Sequence, residues 1–128
     1  MATILLVDDD PLDASIRKST LETRFHSVQR AADPIEALWM VEQPLFAGRL
    51  ALVIADLHRP GPDGQDILAE MHARLPGVPM LVLGGPDRSP GGSPESSVRF
   101  LSRHAAPEEM LAAASQMVAR ELPSPRIQ

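Results

Sequence analysis

The sequence has 128 residues, a formal net charge of −5 and no cysteine. This length predicts a single domain with its own core. The acidic balance argues against nonspecific binding to nucleic acid or anionic membranes. The lack of cysteine excludes disulfides, thiolate metal sites and cysteine nucleophiles. No apolar run reaches the roughly 20 residues that span a bilayer, and no signal-peptide layout opens the chain, so we expect a cytoplasmic protein.

The chain opens with a predicted strand followed by a capped helix. Residues 3–7 form an apolar run, which is typical of a strand buried on both faces of a parallel sheet. Asp10 and then Pro11 predict a helix start, because the carboxylate caps free backbone N–H groups and proline tolerates the first helical position. We expect this helix over residues 11–24. Its inward face would consist of Leu12, Ile16, Ser19, Leu21 and Phe25.

A weaker strand and a second helix follow. Residues 26–31 are a strand candidate, and Asp33 with Glu36 forms a capping box at a helix entry. This helix is expected to continue to about Gln43, with Pro44 ending it. Its remaining pattern positions are Ile35, Leu38, Trp39 and Val41, and Trp39 is expected to serve packing rather than function.

The central stretch combines a buried strand with an acid. Residues 50–55 are all apolar and predict the central strand of a parallel sheet, which ends on Asp56. Because an isolated aspartate in a core costs several kcal/mol, we expect Asp56 at the carboxyl end of the strand. Ligands bind at that edge in open α/β sheets. Turn-forming residues 60–64 then lead into another helix, predicted over residues 63–75.

The last third begins with a fourth apolar strand, predicted over residues 78–83. Residues 84–97 are rich in glycine, proline and serine, so no ordinary helix is expected there. A fifth strand over residues 98–102 alternates in character, as an edge strand does. A final helix is predicted over residues 107–122, and residues 123–128 form a frayed tail.

Alternating strands and helices predict one α/β domain over residues 1–122 with a doubly wound five-stranded parallel sheet, for which we expect 2-1-3-4-5, one of the two common strand orders. The carboxyl ends of strands one and three are then neighbours, which brings Asp8 and Asp9 close to Asp56. Three carboxylates at one point are tolerable when Mg²⁺ neutralises them, and a metal-bound carboxylate can attack a phosphoryl group. The alternative is that the acids merely cap a helix and start a turn.

The sequence resembles a response regulator receiver domain of two-component signalling. The resemblance rests on LLVDDD at residues 5–10, on Asp56 with Pro60 and Asp63-Gly64, and on FLSR and APEE at residues 100–103 and 106–109. It implies a flavodoxin-like fold in which a sensor histidine kinase or phosphotransfer protein phosphorylates the domain.

The resemblance also assigns site residues by position. Asp56 would be the phosphoacceptor and Asp9 a direct Mg²⁺ ligand, with Asp8 acting largely through water. His58 would contribute only its backbone carbonyl to the metal.

The sequence departs from this family at its relay positions. Gly84 stands where the family has threonine or serine, and Arg103 stands where it has lysine; His104 follows where a cis-proline is usual. Arginine is planar and bulkier, so the exchange is not conservative at a tight site. Lys18, the only lysine, lies on the first helix. The family's fourth helix is expected to be degraded or replaced by a loop.

Three functions remain open from the sequence. The first is a Mg²⁺-dependent phosphoacceptor at Asp56 with altered switching, which is not a turnover enzyme. The second is a phosphate-independent pseudo-receiver that binds a protein partner. The third, more remote, is a haloacid dehalogenase-like phosphatase, suggested by the acidic run at residues 8–10 but opposed by Leu12. Direct binding to nucleic acid or membrane is not expected, because the basic residues form no patch.

Overall fold

The computed structural model describes residues 2–56, 64–84 and 97–121. Five strands are present: β1 (Thr3–Asp8), β2 (Ser27–Ala31), β3 (Leu50–Asp56), β4 (Met80–Leu83) and β5 (Val98–Leu101). The helices are α1 (Pro11–Glu22), α2 (Pro34–Val41), α3 (Pro44–Arg49), α4 (Gly64–Arg74) and α5 (Pro107–Glu121). The strands differ from their predicted bounds by one or two residues at an end, as with β4, which begins at Met80.

The strands form one sheet in the order β2-β1-β3-β4-β5, and all neighbouring strands are parallel. This confirms the predicted doubly wound architecture and places β1 beside β3. Their register ends with Asp8 opposite Asp56. The two acids that follow the most apolar runs therefore meet at the carboxyl edge of the sheet.

Each face of the sheet carries its own apolar layer. Alternate residues of β1, such as Ile4 and Leu6, pack under α1 and α5, while Leu5 and Val7 pack under α2 and α4. Successive strand side chains point to opposite faces, so a strand covered on both sides needs an apolar residue at every position. This explains the unbroken apolar runs of the central strands.

The predicted inward face of α1 was wrong at Leu12, Ile16 and Ser19, which are exposed, and right at Leu21. Leu12 and Ile16 are 69% and 50% exposed, whereas Ala14 and Leu21 are buried against the sheet. The helix is rotated so that positions 14, 17 and 21 face inward, at the spacing of one helical face. The small side chain of Ala14 allows the helix to approach β1 closely, and Leu12 is left outside that contact.

A similar correction applies to the next helices. Trp39 is 63% exposed and Ile35 is exposed as well, while Ala37 and Val41 supply the buried face of α2. Trp39 was expected to serve packing rather than function, and its exposure shows that it is not part of the core. Pro44 does not only end α2, because it also opens the short α3. Proline lacks the N–H that would continue α2, and its fixed φ suits the first position of α3.

Some predictions fall on residues outside the described ranges. The prediction that the family's fourth helix is degraded or replaced by a loop concerns residues 86–97, of which 86–96 lie outside those ranges, and the predictions for His58 and the tail fall on residues 57–63 and 122–128. Within the described ranges, no helix has the length and apolar character that crossing a membrane requires.

Candidate functional site

Asp8 and Asp56 are the buried acids at the carboxyl edge of the sheet. Both are fully buried and lie opposite each other at the ends of β1 and β3. The backbone N–H of Asp10 donates to Asp8 Oδ1 at 3.0 Å, and Asp10 itself caps α1. Asp9, which lies between Asp8 and Asp10 in the sequence, is half-buried. Two buried carboxylates this close need positive charge nearby, since an unpaired buried charge is very costly.

Arg17 supplies the first positive charge, and sequence reasoning missed it. Its Nη1 donates to Asp8 Oδ2 at 2.9 Å and also to Asp56 Oδ2, so one nitrogen bridges the two acids. Its Nη2 donates to the backbone carbonyl of Arg103 at 3.3 Å. The side chain is only 12% exposed. A signal was available, because Arg17 lies three residues after Ala14 and four before Leu21, on the buried face of α1.

Arg103 supplies the second positive charge, at a position that the sequence had singled out. Its Nε donates to Asp56 Oδ1 at 2.9 Å, and its side chain is 33% exposed. Both carboxylate oxygens of Asp56 therefore accept from guanidinium groups. Lys18, one residue after Arg17, pairs with Glu22 along α1 instead. Arginine thus contacts Asp56 from two separate elements of the fold.

Gly84 directly follows β4 and lies beside the Arg103 side chain. Its φ is +90°, which L side chains rarely adopt, and its N–H donates to the Leu101 carbonyl at 2.9 Å. A Cβ placed on Gly84 would lie 2.9 Å from Nη2 of Arg103 and 3.2 Å from its Cζ. The glycine therefore leaves the space in which the Arg103 guanidinium lies.

Burial and ion pairing shift the pKa values of the charged groups at the site in opposite directions. Burial raises the pKa of the Asp8 carboxyl above its usual value, although the Asp10 N–H and the Arg17 guanidinium act in the opposite direction. For Arg17, burial alone would lower the pKa, but hydrogen bonds and charge from Asp56 and Asp8 outweigh it and raise the pKa. Arg17 therefore stays charged, and with Arg103 it balances the two buried acids if both are ionised.

The donor chemistry of the site suits a hard divalent cation, because aspartate oxygens lie together at one edge. The arrangement itself holds a guanidinium between Asp8 and Asp56 instead. Among the described residues, no group of three or more aspartate, glutamate, histidine or cysteine residues is arranged to hold a metal ion. Any metal that used Asp56 would have to take an oxygen that Arg17 or Arg103 now holds. His58, the remaining predicted ligand, lies outside the described residues.

A small cavity lies next to the two arginines. Its volume is about 120 Å³, and Arg17 and Arg103 line it together with Asp13 of α1. Ile16 and Met110 are among its apolar lining residues. The arginine pair therefore separates the buried acids from a surface depression between α1 and the start of α5.

Comparison with known proteins gives one sequence relative and many structural ones. No family model matches the chain. Over 84 residues it is 30% identical to sensor kinase CckA of Brucella abortus (strain 2308), a match that covers 66% of this chain and 9% of that protein. The chain thus corresponds to a small part of that kinase.

The structural matches cover nearly the whole chain. The receiver domain of the hybrid histidine kinase CckA is 28% identical with a TM-score of 0.73, over 91% of this chain and 99% of that one. A CheY-like receiver domain protein from Methanospirillum hungatei JF-1 is 22% identical with a TM-score of 0.75, over 94% and 96%. The second likeness shows the fold alone, whereas the CckA receiver is similar in both fold and sequence.

Proposed function

We propose that this chain, a response regulator receiver domain of two-component signalling, accepts a phosphoryl group on Asp56. The observation that carries the proposal is the placement of Asp56 at the carboxyl end of the central strand β3, opposite Asp8 and in contact with two guanidinium groups. Phosphoryl transfer needs mainly alignment and positive charge around the transferred group. The site offers both.

The proposed donor is a phosphohistidine on a histidine kinase or a phosphotransfer protein. An Asp56 oxygen forms the bond to phosphorus, the phosphorus–nitrogen bond breaks, and the imidazole nitrogen keeps the electron pair and takes up a proton. Arg103 is placed to contact an oxygen of the transferred group, because its Nε already lies 2.9 Å from Asp56 Oδ1. The likeness to the CckA receiver supports a donor of this class. We place the exchange in the cytoplasm.

Magnesium is part of the same proposal. Asp8, Asp9 and Asp56 would hold the ion, with the backbone carbonyl of His58 as a further ligand. When bound, the ion would neutralise charge on the phosphoryl group. Before the ion can bind, one Asp56 oxygen must lose its hydrogen bond to arginine, because both of its oxygens now accept from guanidinium groups. The domain would act as a phosphoacceptor rather than as a turnover enzyme.

Intact mass spectrometry tests the proposal directly. The chain is incubated with acetyl phosphate and Mg²⁺, and we expect a mass increase of one phosphoryl group that is absent in Asp56→Asn. Asp33→Asn is the matched control, because asparagine can replace the aspartate that caps α2. An unmodified wild-type mass, with the fold intact by circular dichroism, would contradict the proposal.

A second candidate function is a phosphate-independent binding module. It is favoured by one observation, that both oxygens of Asp56 are already held by Arg17 and Arg103. In that case a partner would bind equally well with and without acetyl phosphate and Mg²⁺. A partner whose affinity changes with the phosphodonor, and does so only when Asp56 is intact, would exclude this candidate.

A further inference from the structure

We propose that Arg17 is a built-in competitor of divalent cations at this site. Its guanidinium holds Asp8 and Asp56 together in the metal-free protein, and a cation binds only as Arg17 withdraws. The inference rests on the proposed function in that it concerns regulation of the same site. It is tested without a phosphodonor, so its outcome is separate from that of phosphorylation.

Arg17 Nη1 bridges the Oδ2 atoms of Asp8 and Asp56, which belong to neighbouring strands. A cation shared by those two carboxylates would occupy the same space between them. The other oxygens are also engaged, Oδ1 of Asp8 by the Asp10 N–H and Oδ1 of Asp56 by Arg103. Arg17 and a metal at Asp56 therefore compete for the same atoms.

With both acids ionised, Asp8 and Asp56 are balanced by Arg17 and Arg103. A divalent cation added to this set would leave two uncompensated positive charges in a largely buried cluster, which is strongly unfavourable. Withdrawal of Arg17 removes one of those two charges. Metal entry and arginine exit are therefore coupled.

The cavity beside Arg17 offers its guanidinium an alternative position. The cavity of about 120 Å³ is lined by Arg17 and by Asp13, one turn earlier on α1. An acid four residues before a base on a helix can pair with it favourably. The guanidinium can thus rotate away from the sheet toward Asp13 without unfolding α1. The long, flexible arginine stem makes this a side-chain motion.

Calorimetric titration with MgCl₂ alone tests the proposal. We compare the wild type with Arg17→Met, which removes the competitor but keeps an apolar side chain of similar length. Removal of the competitor is expected to tighten Mg²⁺ binding by about tenfold or more. The thermal midpoint of the variant should also rise more with Mg²⁺ than that of the wild type, because a ligand that binds the folded state stabilises it in proportion to its affinity.

Lys18→Met is the matched control. It removes the same charge from the next residue of α1, where the side chain pairs with Glu22. Its Mg²⁺ affinity should equal that of the wild type. Equal affinities in all three proteins would overturn the proposal, and so would weaker binding in Arg17→Met.

Arg17→Met leaves two buried acids without their shared partner, so it can fail to fold in the absence of metal. The wild type then provides the test by NMR, through the Nε–Hε signals of Arg17 and Arg103 during a MgCl₂ titration. We expect the Arg17 signal to move with the same midpoint as the backbone amides of Asp8 and Asp56. A saturating titration in which the Arg17 signal does not move would refute the competition.

The two proposals fail separately. Tight Mg²⁺ binding in Arg17→Met without phosphorylation of Asp56 in any variant would support the competitor and contradict the phosphoacceptor. Phosphorylation of the wild type, together with identical Mg²⁺ affinities in the wild type and Arg17→Met, would support the phosphoacceptor and contradict the competitor.

Discussion

The guanidinium of Arg103 lies directly against the position that a Cβ atom of residue 84 would occupy. A Cβ on Gly84 would be 2.9 Å from Nη2 and 3.2 Å from Cζ of Arg103, and that guanidinium also contacts Asp56. Two departures from the family, glycine for a hydroxyl residue and arginine for lysine, therefore form one structural unit. The larger cation fits because the smaller residue makes room for it.

A double-mutant cycle tests this relationship. Gly84→Ser alone should lower the free energy of unfolding by about 1–3 kcal/mol, because it combines a strained positive φ with a clash against Arg103. Arg103→Lys should relieve the clash but not the strain. We expect a coupling energy of about 0.5–2 kcal/mol between the two changes in urea unfolding.

The control for the cycle is Gly77→Ser, since a Cβ at Gly77 would have no neighbour within 4 Å. Its effect should simply add to that of Arg103→Lys. Additive behaviour of the Gly84 pair as well would show that the two positions are independent.

The N-cap of α1 is a second testable feature, because it anchors the helix that carries Arg17. Asp10 accepts from the N–H groups of Leu12 and Asp13 at 2.9 and 3.0 Å. Asp10→Ala should lower the free energy of unfolding by about 1 kcal/mol, and Asp10→Asn should restore most of it. Denaturant unfolding of the three proteins measures this. Equal stability of all three would mean that the cap contributes nothing.

The pH dependence of stability should report the buried Asp8. Burial raises its pKa in the folded protein above the ordinary value of 3.8. Between the unfolded and folded pKa values the folded state binds more protons, so stability decreases as the pH rises through this window and is constant above it. In metal-free buffer, the free energy of unfolding of the wild type minus that of Asp8→Asn should therefore fall as the pH rises above 3.8. A difference that rises with pH would show that ion pairing outweighs burial.

The sheet could be predicted because its strands are buried on both faces. Apolar runs such as residues 50–55 and 3–7 leave few alternatives, and an acid after each run marks the carboxyl edge. The same reasoning predicted that Asp8 lies near Asp56. Right-handed crossovers alone allow more than one strand order, and the order 2-1-3-4-5 of a flavodoxin-like sheet was confirmed.

The sequence signal for Arg17 was ambiguous, because α1 has two competing faces in its sequence. Leu12 and Ile16 are the larger apolar residues, and they predicted a face that excludes Arg17. The observed face begins with the small residue Ala14 and ends with Leu21. The small side chain of Ala14 is a weaker apolar signal than Leu12 or Ile16, although Ala14 is the residue that lies in the core.

The exposed residues of α1 provide the last prediction. Leu12 and Ile16 are 69% and 50% exposed, so Leu12→Ser and Ile16→Ser should each change the free energy of unfolding by no more than about 0.5 kcal/mol. Leu21 is fully buried, and Leu21→Ala should cost about 2–5 kcal/mol. Thermal and urea unfolding distinguish the two cases. A loss of more than 2 kcal/mol in Leu12→Ser would restore the face predicted from the sequence and would place Arg17 away from Asp8 and Asp56.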